Sequence, residues 1–265
     1  MQICFLIFLF ILGACFGSFL CCQARRLRLK ETKKKALGSR SVCLSCHKKL
    51  KWYDNLPIIS WLVLRGKCRY CHKKIGPLEI LAELGVGLAF LMLGTTIDLY
   101  SAGPFDWAIL IFTFIFALIL SFLAIYDGAY GELPGLPLAL SIICAVIILS
   151  LKEWAILSIS PFSLELVYKP LISLLILGGL YLILYLISKG KWVGDGDWLL
   201  GLAIGLALFE PWLALITLFL ANFIASLIML PFVRKIPSRK IFFGPFLVIA
   251  FIISTTFSQF VLSML

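Results

Sequence analysis

Charge is what this chain has least of. Only 14% of its 265 residues are charged, 13 of them are acids, and there are two histidines. Hydrophobic residues make up 62%, and the mean hydropathy is +1.07. A soluble domain of this length has no core large enough to hide so much apolar side chain, which excludes a soluble fold and makes lipid the solvent for most of the chain. A basic segment ahead of the first hydrophobic run is also missing. Its charges, Arg25, Arg26 and Arg28, follow it instead. That order argues against a cleaved signal peptide and predicts a retained helix with its N-terminus outside. No glycine-rich nucleotide fingerprint occurs in a strand–helix setting, and no inverted repeat is visible.

What is present is a series of uncharged runs. Spanning a hydrocarbon core takes roughly 20 helical residues, and helices are the one economical way to do it here. Runs at 1–24, 107–126, 133–151, 170–188, 211–233 and 241–265 qualify. Two weaker ones join them: 78–97, with Glu79 and Glu83 near one end, and the short stretch 198–209. The expectation is an all-α polytopic membrane protein of about eight transmembrane helices.

Threading eight spans with the N-terminus outside puts 22 of the 24 Lys and Arg residues on one side, leaving only Lys152 and Lys169 on the other. By the positive-inside rule the basic side is cytoplasmic, which predicts a multi-pass protein of the plasma membrane. The net charge of +11 then describes loops facing anionic headgroups, so no nucleic-acid partner is expected. The chain divides into a first transmembrane helix (1–24), a basic cytoplasmic loop (25–77) and a membrane domain (78–265).

The loop holds a short internal repeat, CLSCHKKL at 43–50 and CRYCHKKI at 68–75. Cys43, Cys46, Cys68 and Cys71 thus form two CxxC knuckles enclosing 21 residues, a pattern that points four thiolates at one tetrahedral centre. A polar loop of this size has too little core to fold alone, so a structural zinc is expected. Both knuckles also read CxxCH, the attachment pattern of c-type haem. The loop's basic, inward-facing character and its lack of methionine or a third histidine argue against haem. His47 and His72 are read as solvated knuckle residues, and the other five cysteines as small buried hydrophobes.

Among the few acids, Asp127 lies in AIYDGAYGELPG and Asp197 closes VGDGDW. The threaded topology sets both at the cytoplasmic rim, in different hairpins. Two carboxylates close together cannot both ionise, and such a pair can divide base and acid roles in hydrolysing a peptide bond. Gly194 and Gly196 would let backbone approach a substrate and adopt conformations that other residues refuse. The stretch 198–209 covers only about 18 Å, so either the bilayer thins there or the GDGD turn sits below the membrane surface, surrounded by protein or water. Asp195 and Glu132 are read as solvated loop residues. A transporter is the rival reading, since intramembrane acids also mark ion pathways.

These motifs together resemble the type IV prepilin peptidases, bifunctional leader peptidases and N-methyltransferases of type IV pilus, type II secretion and competence systems. FGSFL at 16–20, DNLPIISWLVLRGKCRYC at 54–71, GPLEILAE at 76–83 and FGPFL at 243–247 match family motifs in order. The family's first catalytic aspartate precedes Leu-Pro and maps onto Asp127 with Leu133-Pro134. Its second closes GxGD and maps onto Gly194, Gly196 and Asp197. The chain departs from the family pattern at Cys21, Cys22 and Gln23, and at Gly135.

The resemblance implies a GxGD-type aspartyl peptidase whose active site faces the cytoplasm. Its substrates would be prepilins or pseudopilins, cut between a basic leader and an apolar helix. It also implies N-methylation of the new N-terminus with S-adenosylmethionine, an activity associated with the cysteine loop. Glu79 is a candidate contributor to the methyl-donor site.

Overall fold

The computed structural model describes all residues except 1, 32–40, 44, 159–160, 191–192, 234–241 and 264–265. Among the described residues there is no β-strand, only two isolated bridges in the cysteine loop. The helices are α1 (Gln2–Glu31), α2 (Ile59–Val63), α3 (Pro77–Gly94), α4 (Pro104–Tyr130), α5 (Gly135–Leu157), α6 (Glu165–Leu174), α7 (Leu180–Ser188), α8 (Asp197–Leu208), α9 (Pro211–Val233), α10 (Gly244–Thr256) and α11 (Ser258–Ser263). Among the described residues the chain is all-helical, and six spans are long and apolar enough to cross a membrane: α1, α3, α4, α5, the run Glu165–Ser188, and α9. It is a multi-pass membrane protein.

Two of the eight expected spans are short. Helix α8 has 12 residues and α10 has 13. The run 241–265 was expected to be one helix, but it breaks at Phe257 between α10 and α11. Charge gave no warning of the break, because it lies in an uncharged run, just after Ser254, Thr255 and Thr256. Thr256 Oγ1 donates back to the Ile252 carbonyl at 2.8 Å, a contact that competes with the helix's own hydrogen bonds.

The chain forms two compact units, Met1–Leu91 and Met92–Leu265. The first takes in most of α3, whereas the sequence suggested a boundary before residue 78. In this unit α1 and α3 approach backbone to backbone. A Cβ on Gly13 would sit 2.6 Å from the Val86 carbonyl oxygen, and one on Gly17 would sit 2.5 Å from that of Ala82. Two small residues four apart make this contact possible, as in membrane helix pairs generally. The glycine of FGSFL is therefore a packing residue.

The second unit is built around α8, which packs against α5, α6, α7, α9 and α10. Leu200, Ala203, Ile204 and Ala207 are buried on it. Its glycines let the neighbouring chain come close: a Cβ on Gly201 would lie 2.9 Å from the Leu177 oxygen, and one on Gly205 2.7 Å from that of Ser173. Between α6 and α7 the chain forms a π-helical turn, Leu175–Gly179, where Gly178 faces the backbone of Leu202 in the same way. Apolar side chains such as Ile111, Ile143, Phe219 and Phe223 point outward, the arrangement expected of a bundle solvated by lipid.

Lys152 and Lys169, the two cations outside the basic side, have structural partners. Lys152 donates to the carbonyls of Ala207 and Leu208 at the C-terminus of α8, at 2.7 and 3.4 Å. A cation there satisfies free carbonyls and complements the helix dipole. Lys169 pairs with Glu165 and Glu210.

Candidate functional site

Asp127 sits in the last turn of α4. The helix ends because Gly131 adopts a left-handed conformation (φ 69°) and donates its N–H to the Asp127 carbonyl at 2.7 Å. Leu133-Pro134 then turns the chain into α5. Asp197 is the first residue of α8 and is buried, as is Asp127. Of the GDGD turn, Asp197 is buried while Asp195 is exposed.

The two motifs meet physically. A Cβ on Gly196 would lie 2.7 Å from the side chain of Leu133, so the Leu-Pro turn rests on the GxGD turn. Each carboxylate also has one oxygen held by a glycine amide. Gly194 donates to Asp197 Oδ2 at 2.9 Å, and Gly244 donates to Asp127 Oδ2 at 3.0 Å. Neither Gly194 nor Gly196 has a positive φ. Their role here is room, not unusual backbone conformation: Gly194 stands against its own acid and Gly196 against Leu133.

Two contributors escaped the reading of the sequence. Gly244, in FGPFL, brings the N-terminus of α10 to Asp127, and a Cβ there would sit 2.9 Å from Oδ2. Tyr181 is buried and lies within the field of Asp197, with its ring 5.2 Å from that of Phe243 and its hydroxyl accepting from Asn222 at 3.2 Å. Asp195 is exposed beside Tyr185, and Glu132 is exposed.

In the first unit the two knuckles are near copies. Cys43 N–H donates to the Lys48 carbonyl and His47 N–H to that of Cys43. The second knuckle repeats both with Cys68, Lys73 and His72. His47 and His72 have φ of 55° and 54° and are exposed. They occupy the left-handed position that closes each turn, where histidine is tolerated better than most residues. The CxxCH spelling therefore has a backbone cause.

All four sulfurs lie within 4.8 Å of one another, and Cys43 Sγ is 3.8 Å from Cys71 Sγ. Sulfurs about 2.3 Å from a tetrahedral centre are separated by about 3.8 Å, so the set fits one zinc ion. Around Cys43 desolvation opposes the thiolate, but the N–H groups of Cys46 and Ser45 and the neighbouring thiols overcome it, bringing the group down to about 6. At Cys71 the Lys73 N–H favours the thiolate, but desolvation and the other thiols outweigh it and push the group up to about 11. A divalent cation would favour all four thiolates at once.

Beside this cluster, entirely within the first unit, is a cavity of about 310 Å³. Its walls include the end of α1, the loop and the start of α3. Three carboxylates reach it. Asp54 is buried and takes Arg69 Nε at 2.7 Å and the Lys51 N–H at 3.2 Å. Glu83 takes the Ile58 N–H at 2.7 Å. Ile58 has φ 63° and ψ −52°, strained for a β-branched residue, and forms a γ-turn in which Ile59 N–H reaches the Pro57 carbonyl at 2.5 Å. Glu79 Oε1 pairs with Arg25, while its buried Oε2 has no hydrogen-bond partner; the same is true of Trp61 Nε1.

Comparison with known proteins agrees with the first unit's architecture. Residues 11–97 match the family model of the bacterial peptidase A24 N-terminal domain. The prepilin leader peptidase/N-methyltransferase of Myxococcus xanthus is 43% identical over 86 residues, 32% of this chain and 25% of that protein. The protein of the same name from Klebsiella pneumoniae is 34% identical over 90 residues, covering 33% and 40%. That from Vibrio cholerae is 47% identical over 47 residues, covering 18% and 19%. These alignments thus span well under half of each relative. No solved structure matches the chain. Over this N-terminal part the chain is similar to proteins named prepilin leader peptidase/N-methyltransferase.

Proposed function

We propose that this protein is a membrane-embedded aspartyl peptidase that removes the basic leader of prepilins or pseudopilins on the cytoplasmic side of the plasma membrane, and that it N-methylates the residue thereby exposed. The observation that supports the peptidase reading is that the turn after Asp127 packs on the turn before Asp197, Leu133 lying against Gly196. The two acids come from separate hairpins, are both buried, and each has one carboxylate oxygen held by a glycine amide. The names of the N-terminal relatives support the substrate class and the second activity.

In the cleavage step one aspartate is ionised and takes a proton from water as the water attacks the scissile carbonyl carbon. The other is protonated and donates to the carbonyl oxygen, and a proton then passes to the leaving amine as the C–N bond breaks. The amides of Gly194 and Gly244 fix one oxygen of each acid, leaving the other to face water and substrate. Tyr181 and Phe243 add an apolar wall on the Asp197 side.

Cys43, Cys46, Cys68 and Cys71 would hold a zinc ion that staples the loop. S-adenosylmethionine would supply the methyl group for the new N-terminal amine, with Glu79 the candidate residue to hold it.

The test is to co-express the chain with a prepilin and determine the mass and N-terminus of the product. A leader-free, methylated pilin is expected. A prepilin left at its full mass by a well-expressed, inserted protein would defeat the peptidase reading.

A further inference from the structure

We infer that α2 is a lipid-docking element of the first unit. The face made by Ile59, Leu62 and Val63, with Trp52 beside it, sits in the interface of the leaflet on the basic side, and the cations around it take anionic phospholipid headgroups. This holds whether or not the peptidase and methylation readings do.

Helix α2 has apolar residues on both sides. Ser60, Trp61 and Leu64 line the cavity. Ile59, Leu62 and Val63, at helical spacing on another face, are each more than half exposed. The turn Trp52–Asn55 packs against α2, and Trp52 is 77% exposed. Four large apolar side chains in 12 residues thus leave the protein surface together. A patch of this kind on a cysteine loop otherwise coated with lysine and arginine marks a contact with protein or membrane.

Depth and charge select the membrane. The N–H of Ile58, the residue before α2, is held by Glu83 at 2.7 Å, and Glu83 lies well inside α3, a span that begins at Pro77. Six residues of helix descend about 9 Å, more than a glutamate side chain reaches back. The cavity that α2 lines is closed on the other side by Ser18 and Cys21, within the uncharged run of α1. Helix α2 therefore lies beside the ends of two spans, where its outer face meets lipid. Residues 41–76 also carry eight Lys and Arg, all exposed, and one acid, Asp54, which is buried and paired with Arg69. Lys51 precedes Trp52, and Arg65 and Lys67 follow α2. Apolar side chains ringed by cations match acyl chains under anionic headgroups, and tryptophan favours the boundary between them.

Photo-crosslinking of the full-length protein tests this directly. Leu62→p-benzoylphenylalanine, reconstituted in nanodiscs of phosphatidylcholine and phosphatidylglycerol and irradiated, should yield lipid adducts on the peptide holding residue 62, read by mass spectrometry. A second readout needs no variant. Trypsin cleavage of wild type after Arg65 should be slower by roughly tenfold in nanodiscs containing phosphatidylglycerol than in phosphatidylcholine alone, the scale of one or two cations held at an anionic surface. Leu62→Asp at wild-type zinc content should lose that protection. Adducts to protein alone, whether within the chain or to a second copy, would overturn the proposal. Equal cleavage of wild type in the two bilayers would also overturn it, by removing the headgroup recognition.

Discussion

The backbone N–H of Gly244 donates to Oδ2 of Asp127 at 3.0 Å, across 117 residues of sequence. With no side chain at 244 the N-terminus of α10 can press against the acid, and a Cβ would fall 2.9 Å from the same oxygen. Gly244→Ala must therefore move the carboxylate or the helix. On the peptidase reading, leader cleavage should drop by about tenfold or more, because small misplacements of reacting groups are costly. Zinc content and insertion should be unchanged. Wild-type cleavage rates for Gly244→Ala, timed with purified protein and prepilin, would show that this contact does not position Asp127.

The acids themselves give a sharper contrast. Asp127→Asn and Asp197→Asn should each abolish cleavage, since a pair lacking one carboxylate cannot divide the acid and base roles. Asp195→Asn, two residues from Asp197 but exposed, should retain most of it. Processing of a co-expressed prepilin, followed by gel shift at matched expression, separates these outcomes. An inactive Asp195→Asn alongside an active Asp197→Asn would reverse the assignment.

The metal prediction follows from the sulfur geometry. Purified protein should carry about one zinc per chain, and Cys43→Ser with Cys46→Ser should lose it. His47 and His72 should behave as turn residues. Changing either to Gly or Asn should leave the zinc in place, whereas His47→Val should strain the knuckle at its φ of 55°. Elemental analysis decides both. Loss of metal on His47→Gly would make the histidine a ligand, contrary to its exposed position.

Much of this was legible in the sequence, for identifiable reasons. Uncharged runs locate membrane helices because the bilayer demands them, and the Cys spacing locates the cluster because tetrahedral geometry does. The shortness of α8 also follows from counting uncharged residues against bilayer thickness. What did not follow has no local signal. The break at Phe257 lies inside an apolar run, the Gly244 contact joins distant segments, and the orphaned atoms of Glu79 and Trp61 exist only once α1, the loop and α3 have packed. Gly194 and Gly196 were expected to need unusual φ values; the neighbours that require them to be small, Asp197 and Leu133, are tertiary facts.

Packing within the first unit gives a stability prediction. Gly17→Leu would drive its side chain into the Ala82 carbonyl of α3, with even the first carbon 2.5 Å away. Overpacking of this kind costs about 1–3 kcal/mol where backbone can yield, and more where it cannot. Protease resistance of the first unit and its zinc content should both fall, while Gly85→Ala, whose added carbon meets nothing within 4 Å, should be neutral. Equal behaviour of the two variants in limited proteolysis would remove the close helix contact from consideration.

The last prediction separates the two activities. Asp127 and Asp197 belong to the second compact unit, while the thiol cluster and the cavity belong to the first. Peptide hydrolysis needs no methyl donor, and methyl transfer to a free amine needs no carboxylate pair to activate water. Asp127→Asn should therefore block cleavage yet leave methylation of a pre-cleaved pilin close to wild type. Changing Cys68 and Cys71 to Ser should have the opposite bias. Without the metal the loop that walls the cavity loses its staple, and methylation should suffer far more than cleavage. Mass spectrometry of the pilin N-terminus reads both reactions in one sample, from the leader mass lost and the methyl mass gained. If every substitution in either unit lowers both products in parallel, one shared site or one shared fold is responsible, and the assignment of the two reactions to two units fails.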